Sequence, residues 1–184
     1  MNEVEWLSSD DAGAMLEYLF HQRRNSYNGA GEGLTRSLHR FYLASCRGIW
    51  PLLPQEASRK GVELSEQFLA GKATAEQLSE YNWHTEAAAF RIDYADADDD
   101  MDVARWVAEV KALPAQELRA MLHPPSAADE AEPRELLKQA AYFADYAMSY
   151  QNLRRPEPPP MSYRPFLSAE ILRQYVAYPG PVGE

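Results

Sequence analysis

The sequence predicts an all-α protein: a single-domain helical bundle of about seven helices, closed by a proline-rich strap and a short docked C-terminal helix. Three observations carry that expectation. Apolar residues recur at spacings of three and four along most of the chain, and the strict alternation of strands is almost absent. The stretch Leu34–Gly71 reads as two amphipathic helices joined by a proline-bracketed corner, PLLPQ. A chain of 184 residues with 46% hydrophobic and 25% charged content suits one globular core. Residues 1–153 are assigned to the bundle, and 154–184 to the strap and terminal helix on the same domain.

From the N-terminus, Glu5–Leu7 is a short segment whose Trp6 and Leu7 are expected to cover a core edge. Ser9 or Asp10 can cap a helix starting near Asp11, with acids in its first turn and Met15, Leu16, Leu19 and Phe20 inward. Residues 25–33, NSYNGAGEG, are turn formers and glycines, which predicts a loop. At about 100° per residue, Leu34, Leu38, Phe41, Ser45 and Ile49 then fall in one narrow stripe. Arg36, Arg40 and Arg47 fall together on the opposite side. The next helix carries Ala57, Gly61, Leu64 and Phe68 on its expected inner face and ends at Gly71, a natural C′ residue.

Thr74 and Gln77 form a capping-box signature. The helix they open places Leu78, Tyr81, Thr85, Ala88 and Ile92 in a packing stripe. The acidic run ADADDDMD, 95–102, follows; it is expected to link helices and feed charge to a helix N-terminus. Val103, Val107 and Val110, with Trp106 beside them, form the inner face beyond it. Pro114 suits the first position of a short helix through Met121 and Leu122, and SAADEAE is a polar connector. Pro133 starts a helix whose Leu136, Leu137, Ala140, Phe143, Ala144, Ala147 and Met148 make a broad apolar face. Tyr142, Tyr146 and Tyr150 recur every four residues on another face. Residues 154–165, RRPEPPPMSYRP, are expected to be an extended polyproline strap. Ser168 can cap a final helix carrying Ile171, Leu172 and Val176, preceded by Leu167. PGPVGE reads as a frayed tail.

The run RSLHRFYLASCRGIW, the following LLPQEASRKGVELSEQFLAGKATAEQL and the opening MNEVEWLSSDDAGAMLEYL resemble a large family of bacterial proteins of unassigned function, associated with planctomycetes. That family opens on E-W-L and M-L-x-F/Y-L. It continues with R-x-L-x-x-F…C-R-x-I-W, S-R-x-x-V-E-x-x-E and G-x-A-T-x-E-x-L. The resemblance covers about the first eighty residues, with looser echoes at Ala140–Gln151 and Arg164–Phe166. It implies a helical fold and no activity. The chain departs from it by the insertion YNGAGEG at 27–33 and by having one cysteine, Cys46, where relatives often have several.

The net charge of −10 opposes general nucleic-acid binding. Its distribution is uneven. Residues 21–60 hold seven Arg or Lys against Glu32 and Glu56, a surplus of five positive charges, which leaves about fifteen negative charges on the remainder. Such a dipolar chain favours oriented docking or self-association. The opening residues lack the basic-then-apolar pattern of a signal peptide, and no apolar run approaches a membrane span. The expectation is a cytoplasmic protein with no membrane contact.

Motifs for chemistry are sparse. The glycine-rich loop before Leu34 lacks the Lys-Ser/Thr pair of a phosphate loop. A calcium loop from Asp98 would use Asp100, Asp102 and Glu109, but Val103 stands where that loop needs glycine. His21, His39, His84 and His123 show no metal-ligand spacing. His84-x-Glu86 resembles a deaminase start without its P-C-x-x-C. Arg119 and His123 approach the Arg–His spacing of helical ribonucleases, one residue short. Cys46 beside Arg47 has the charge but not the base of a nucleophile. No catalytic residue, metal ligand or cofactor is therefore assigned. The expected function is a non-enzymatic protein–protein interaction module, engaging an unidentified protein partner or a second copy. Its candidate contact residues are Arg36, Arg40 and Arg47 on one helix and Tyr142, Tyr146 and Tyr150 on another. Two alternatives are a helical nuclease or other hydrolase around His123 or His84, and nucleic-acid docking through the three arginines.

Overall fold

The structure, a computed structural model, describes residues 1–25, 32–95, 100–153 and 158–180, with backbone alone at 23–25, 32, 150 and 153. Among the described residues there are eleven α-helices, two 3₁₀ segments and no strand. The helices are α1 (Glu3–Ser8), α2 (Ala12–Asn25), α3 (Glu32–Gly48), α4 (Glu56–Leu69), α5 (Ala75–Tyr94), α6 (Met101–Lys111), α7 (Ala115–Met121), α8 (Ala127–Glu130), α9 (Pro133–Met148), α10 (Tyr150–Leu153) and α11 (Ala169–Tyr175). The all-α, single-domain expectation holds. The helix count exceeds seven because short helices form at α1, α8 and α10. None is long and apolar enough to cross a membrane.

The bundle is organised around α9, which packs against α3, α4, α5 and α6. Its whole expected apolar face is buried, and Ala141 with it. The alanines let neighbouring helices approach, and Leu136, Leu137, Phe143 and Met148 fill the space between them. Pro133 starts α9 at its first turn, where a missing N–H leaves nothing unsatisfied.

α3 is buried well beyond the narrow stripe expected of it. Leu38, Phe41, Ser45 and Ile49 are joined inside by His39, Tyr42, Leu43 and Cys46. Leu43 lies on the arginine side of α3, and it is buried because α11 crosses there and α4 packs alongside. In α4 the buried residues are Ser58, Gly61, Val62 and Ser65, so the inner face is rotated from the expected Ala57, Gly61, Leu64 and Phe68. The rotation has a steric reason. α4 lies between α5 and α9, and small residues meet them. A Cβ on Gly61 would run into Thr85 Cγ2 and come within 3.2 Å of Met148 Sδ. Gly71, at φ 71°, turns the chain out of α4 in the left-handed conformation expected of it.

Several ends differ from expectation. α1 is a helix with its own capping box, in which Asn2 Oδ1 accepts from Glu5 N–H (2.9 Å) and Glu5 Oε2 from Asn2 N–H (2.7 Å). Trp6 is buried, but Leu7 is exposed. Asp11 lies outside α2 and caps it, accepting from Ala14 N–H at 2.9 Å. Pro114 takes the N-cap of α7 rather than its first turn. The SAADEAE connector holds α8, tied back to α7 by Arg119 and Asp129 at 2.7 Å. Thr74 and Gln77 make the capping box of α5.

The strap departs most. Residues 158–160 are irregular, but Met161–Phe166 is a 3₁₀ segment with Pro165 inside it. Proline's fixed φ suits a 3₁₀ turn, so the ring does not force extended chain. Phe166 and Leu167 are buried, and Phe143 of α9 stacks on Phe166 at 5.6 Å. Ser168 caps α11, accepting from Ile171 N–H at 3.3 Å. The tail is docked as far as Gly180, whose carbonyl accepts from Tyr18 Oη at 3.2 Å, while Tyr178 stacks on Tyr18 at 6.2 Å. Of the expected loop at 25–33, Asn25 belongs to α2 and Glu32 and Gly33 to α3, while 26–31 lie outside the described residues, as do Asp98 of the candidate calcium loop, 154–157 of the expected strap and 181–184 of the expected tail.

Candidate interaction groove

Between α3, the C-terminal end of α4 and the end of α11 runs a groove of ≈ 490 Å³. Leu43, Ala44, Leu69 and Ala70 give it an apolar floor, Tyr175 stands at one side, and Arg40, Arg47 and Glu66 supply its charge. The three candidate arginines have different fates. Arg36 donates from Nη2 to the Leu69 carbonyl at 3.2 Å, satisfying a helix-end acceptor of α4. Arg47 makes a two-pronged bond to Glu66, Nε to Oε1 at 2.9 Å and Nη2 to Oε2 at 2.7 Å. Its guanidinium also lies 4.1 Å from the centre of the Trp50 ring. Arg40 is exposed on the same groove and has no hydrogen bond or ion pair among the described residues.

This arrangement follows from the sequence locally. Arg36, Arg40 and Arg47 recur on one side of α3 because spacings of four and seven return to the same face. The roof over that face comes from elsewhere. α4 presents Glu66 to Arg47, and α11 brings in Tyr175. The result is a half-covered cleft with one uncommitted cation, which can hold a carboxylate beside an apolar or aromatic group.

Tyr142 and Tyr146 are turned to other parts of the fold. Tyr142 donates from its hydroxyl to Asp93 Oδ2 at 3.0 Å and meets Phe90 edge-on at 6.0 Å. Burial, and then the Asp93 carboxylate, push its phenol up from the usual range. Tyr146 meets Tyr42 edge-on at 5.4 Å and packs on Tyr163 at 5.6 Å, part of the core edge under the 3₁₀ segment. The side chain of Tyr150 lies outside the described residues. Tyr142 and Tyr146 therefore serve internal packing.

The candidate chemical groups are dispersed. Cys46 is buried, and burial, then the Glu66 carboxylate, push its thiol far up, so Arg47 does not make it a thiolate. His84 is exposed beside Tyr81 and Trp83, with ring centres at 5.0 and 5.2 Å. His123 lines a cleft of ≈ 420 Å³ with Asp10, Asp11 and Arg164. Burial holds its imidazole below the usual range, and the Glu170 carboxylate offsets part of that. Arg119 is turned to Asp129, and Arg164 is paired with Glu17. Among the described residues no group of three His, Cys, Asp or Glu is placed to hold a metal ion. Asp100 caps α6, accepting from Asp102 N–H at 3.1 Å and Val103 N–H at 3.2 Å, and its carboxylate is bridged by Arg91 at 2.7 and 2.8 Å. Arg91 holds that carboxyl below the usual range.

One surface feature escaped the sequence reading. Trp83, Phe90 and Tyr94 are 64%, 42% and 79% exposed on the outward side of α5. Their spacing of seven and four is the signal that marks a second stripe, opposite the buried Leu78, Thr85 and Ile92.

The structure thus defines an α-helical bundle with an arginine-bearing groove. Comparison with known proteins adds no relative: no family model matches the chain, nor does any curated protein or solved structure.

Proposed function

We propose that this protein is a non-enzymatic protein-interaction module whose groove between α3, α4 and α11 docks an acidic segment of a protein partner, with an apolar or aromatic side chain on its floor. One observation carries the reading. Arg40 is an uncommitted guanidinium over an apolar floor of Leu43, Ala44, Leu69 and Ala70. Arg36 and Arg47 are spent inside the molecule, which leaves little for the phosphate-tracking alternative. The test is capture with the native chain and Arg40→Glu as parallel baits in host lysate, with and without nuclease. A stoichiometric protein that survives nuclease and is lost from the Arg40→Glu bait supports the reading. Recovery of nucleic acid, or identical partners on both baits, overturns it. Membership of the planctomycete-associated family is part of the same proposal and rests on the motifs alone. A cytoplasmic location is proposed with it.

A hydrolase reading has one observation in its favour, the cleft that gathers His123, Asp10, Asp11 and Arg164. A folded His123→Ala chain that retained any hydrolysis found in the native protein would remove it.

A further inference from the structure

Resting on that reading, we propose that the groove's occupant is the α5 stripe of a second copy of this chain, so that the protein assembles head to tail. The stripe has the chemistry the groove lacks. Trp83, Ala87, Phe90 and Tyr94 fall on one side of α5, and the three aromatics stay exposed although the opposite side of the same helix is buried. Isolated exposed apolar residues are ordinary, but a row of aromatics along one helix marks a contact surface. The row is also braced. Phe90 meets Tyr142 edge-on at 6.0 Å and Tyr94 at 5.9 Å, so little ordering remains when it is covered.

Its rim is acidic. Glu80 and Glu86 stand three residues either side of Trp83, with Glu76 one turn further, and none has an ion-pair partner among the described residues. Arg91 on the same helix is already held by Asp100 and Asp102. A carboxylate beside an indole is what Arg40 and an apolar floor accept. The guanidinium takes the carboxylate, and the indole lies on Leu43, Ala44, Leu69 and Ala70 against Tyr175. A groove of ≈ 490 Å³ has room for that pair.

Charge selects the pairing. Residues 21–60 carry a surplus of five positive charges and the remainder about fifteen negative. Stripe against stripe would oppose two rows of glutamates, and groove against groove two Arg40 side chains. Stripe against groove alone brings unlike charges together. Because stripe and groove are different surfaces of one chain, the contact is heterologous, and an open assembly keeps one free groove at one end and one free stripe at the other until a ring closes.

Sedimentation velocity over a range up to hundreds of micromolar tests this, with circular dichroism showing that each variant is folded. The native chain should shift to faster species with concentration, passing beyond a dimer, and added salt should weaken the shift. Arg40→Glu, which disables the groove, and Trp83→Ala/Glu86→Arg, which disables the stripe, should each sediment as a monomer. Mixed together they should form a 1:1 dimer and nothing larger, the intact stripe of one filling the intact groove of the other. A native monomer throughout the range overturns the proposal. So does a native dimer that Arg40→Glu leaves intact, or a mixture that stays monomeric. A monomer that still captures a partner through Arg40 ends the second-copy assignment while leaving the groove's function standing, and loss of both ends both.

Discussion

His39 lies on α3 with no exposed surface, its imidazole pushed down to about 4 by burial and held partly up by a hydrogen bond to the Ala147 backbone. An unfolded chain takes a proton there near pH 6.5, so between about 6.5 and about 4 the unfolded state binds more protons than the folded one. Stability therefore falls as pH drops through that window, by about 3 kcal/mol at its lower end. Urea unfolding at pH 7 and pH 4.5 should show the loss in the native chain and a smaller loss in His39→Gln, whose amide does not titrate. Equal losses in both would place the slope elsewhere. Gly61 gives a second residue-scale prediction. An added methyl would gain about 1 kcal/mol of helix propensity, yet it would run into Thr85 and crowd Met148. Overpacking by one carbon destabilises by about 1–3 kcal/mol, so Gly61→Ala should lower the urea midpoint. An unchanged or raised midpoint would show that α4 and α5 can move apart freely.

At the scale of elements, α11 matters most to the groove because it is short and carries Tyr175. Seven residues make a marginal helix alone, so it depends on docking to α3 and on the Ser168 cap. Ser168→Ala should cost about 1 kcal/mol and raise hydrogen exchange across 169–176 more than in α9. Unchanged exchange there would mean that docking alone holds α11. How legible an element was depended on what sets it. The buried face of α9 was readable apart from Ala141, since its apolar residues recur at helical spacing. α4 was readable as a helix but not in its rotation, because that is set by packing against α5 and α9, where Thr85 and Met148 crowd Gly61. The Asn2–Glu5 capping box of α1 was present in the sequence and overlooked. The 3₁₀ segment at Met161–Phe166 was hidden by Pro165, whose ring argued for extended chain. Of the groove, the arginine face was legible by periodicity. Tyr175 and Leu69, more than a hundred residues apart, were not, since only tertiary docking joins them.

Over the whole molecule, the charge pattern separates a basic segment from an acidic remainder, and on the groove it leaves Arg40 without a hydrogen bond or ion pair among the described residues. Arg47 shows what the fold does where it can. It gives the guanidinium Glu66 and a Trp50 face, and exposed pairs of this kind add at most about 1 kcal/mol to stability. Arg40 is left open on a surface otherwise ready to cover an apolar group. Its contribution is thus expected in binding rather than in folding, and Arg40→Ala should leave the free energy of urea unfolding within about 0.5 kcal/mol of the native value. The measurement that tests this account most directly is a calorimetric titration of the protein with a short Glu-Trp-Glu-bearing peptide at low salt, repeated with Arg40→Glu. The account predicts saturable binding, one peptide per chain, weakened at least tenfold by the substitution and by added salt. No binding, or binding that Arg40→Glu leaves unchanged, would contradict it.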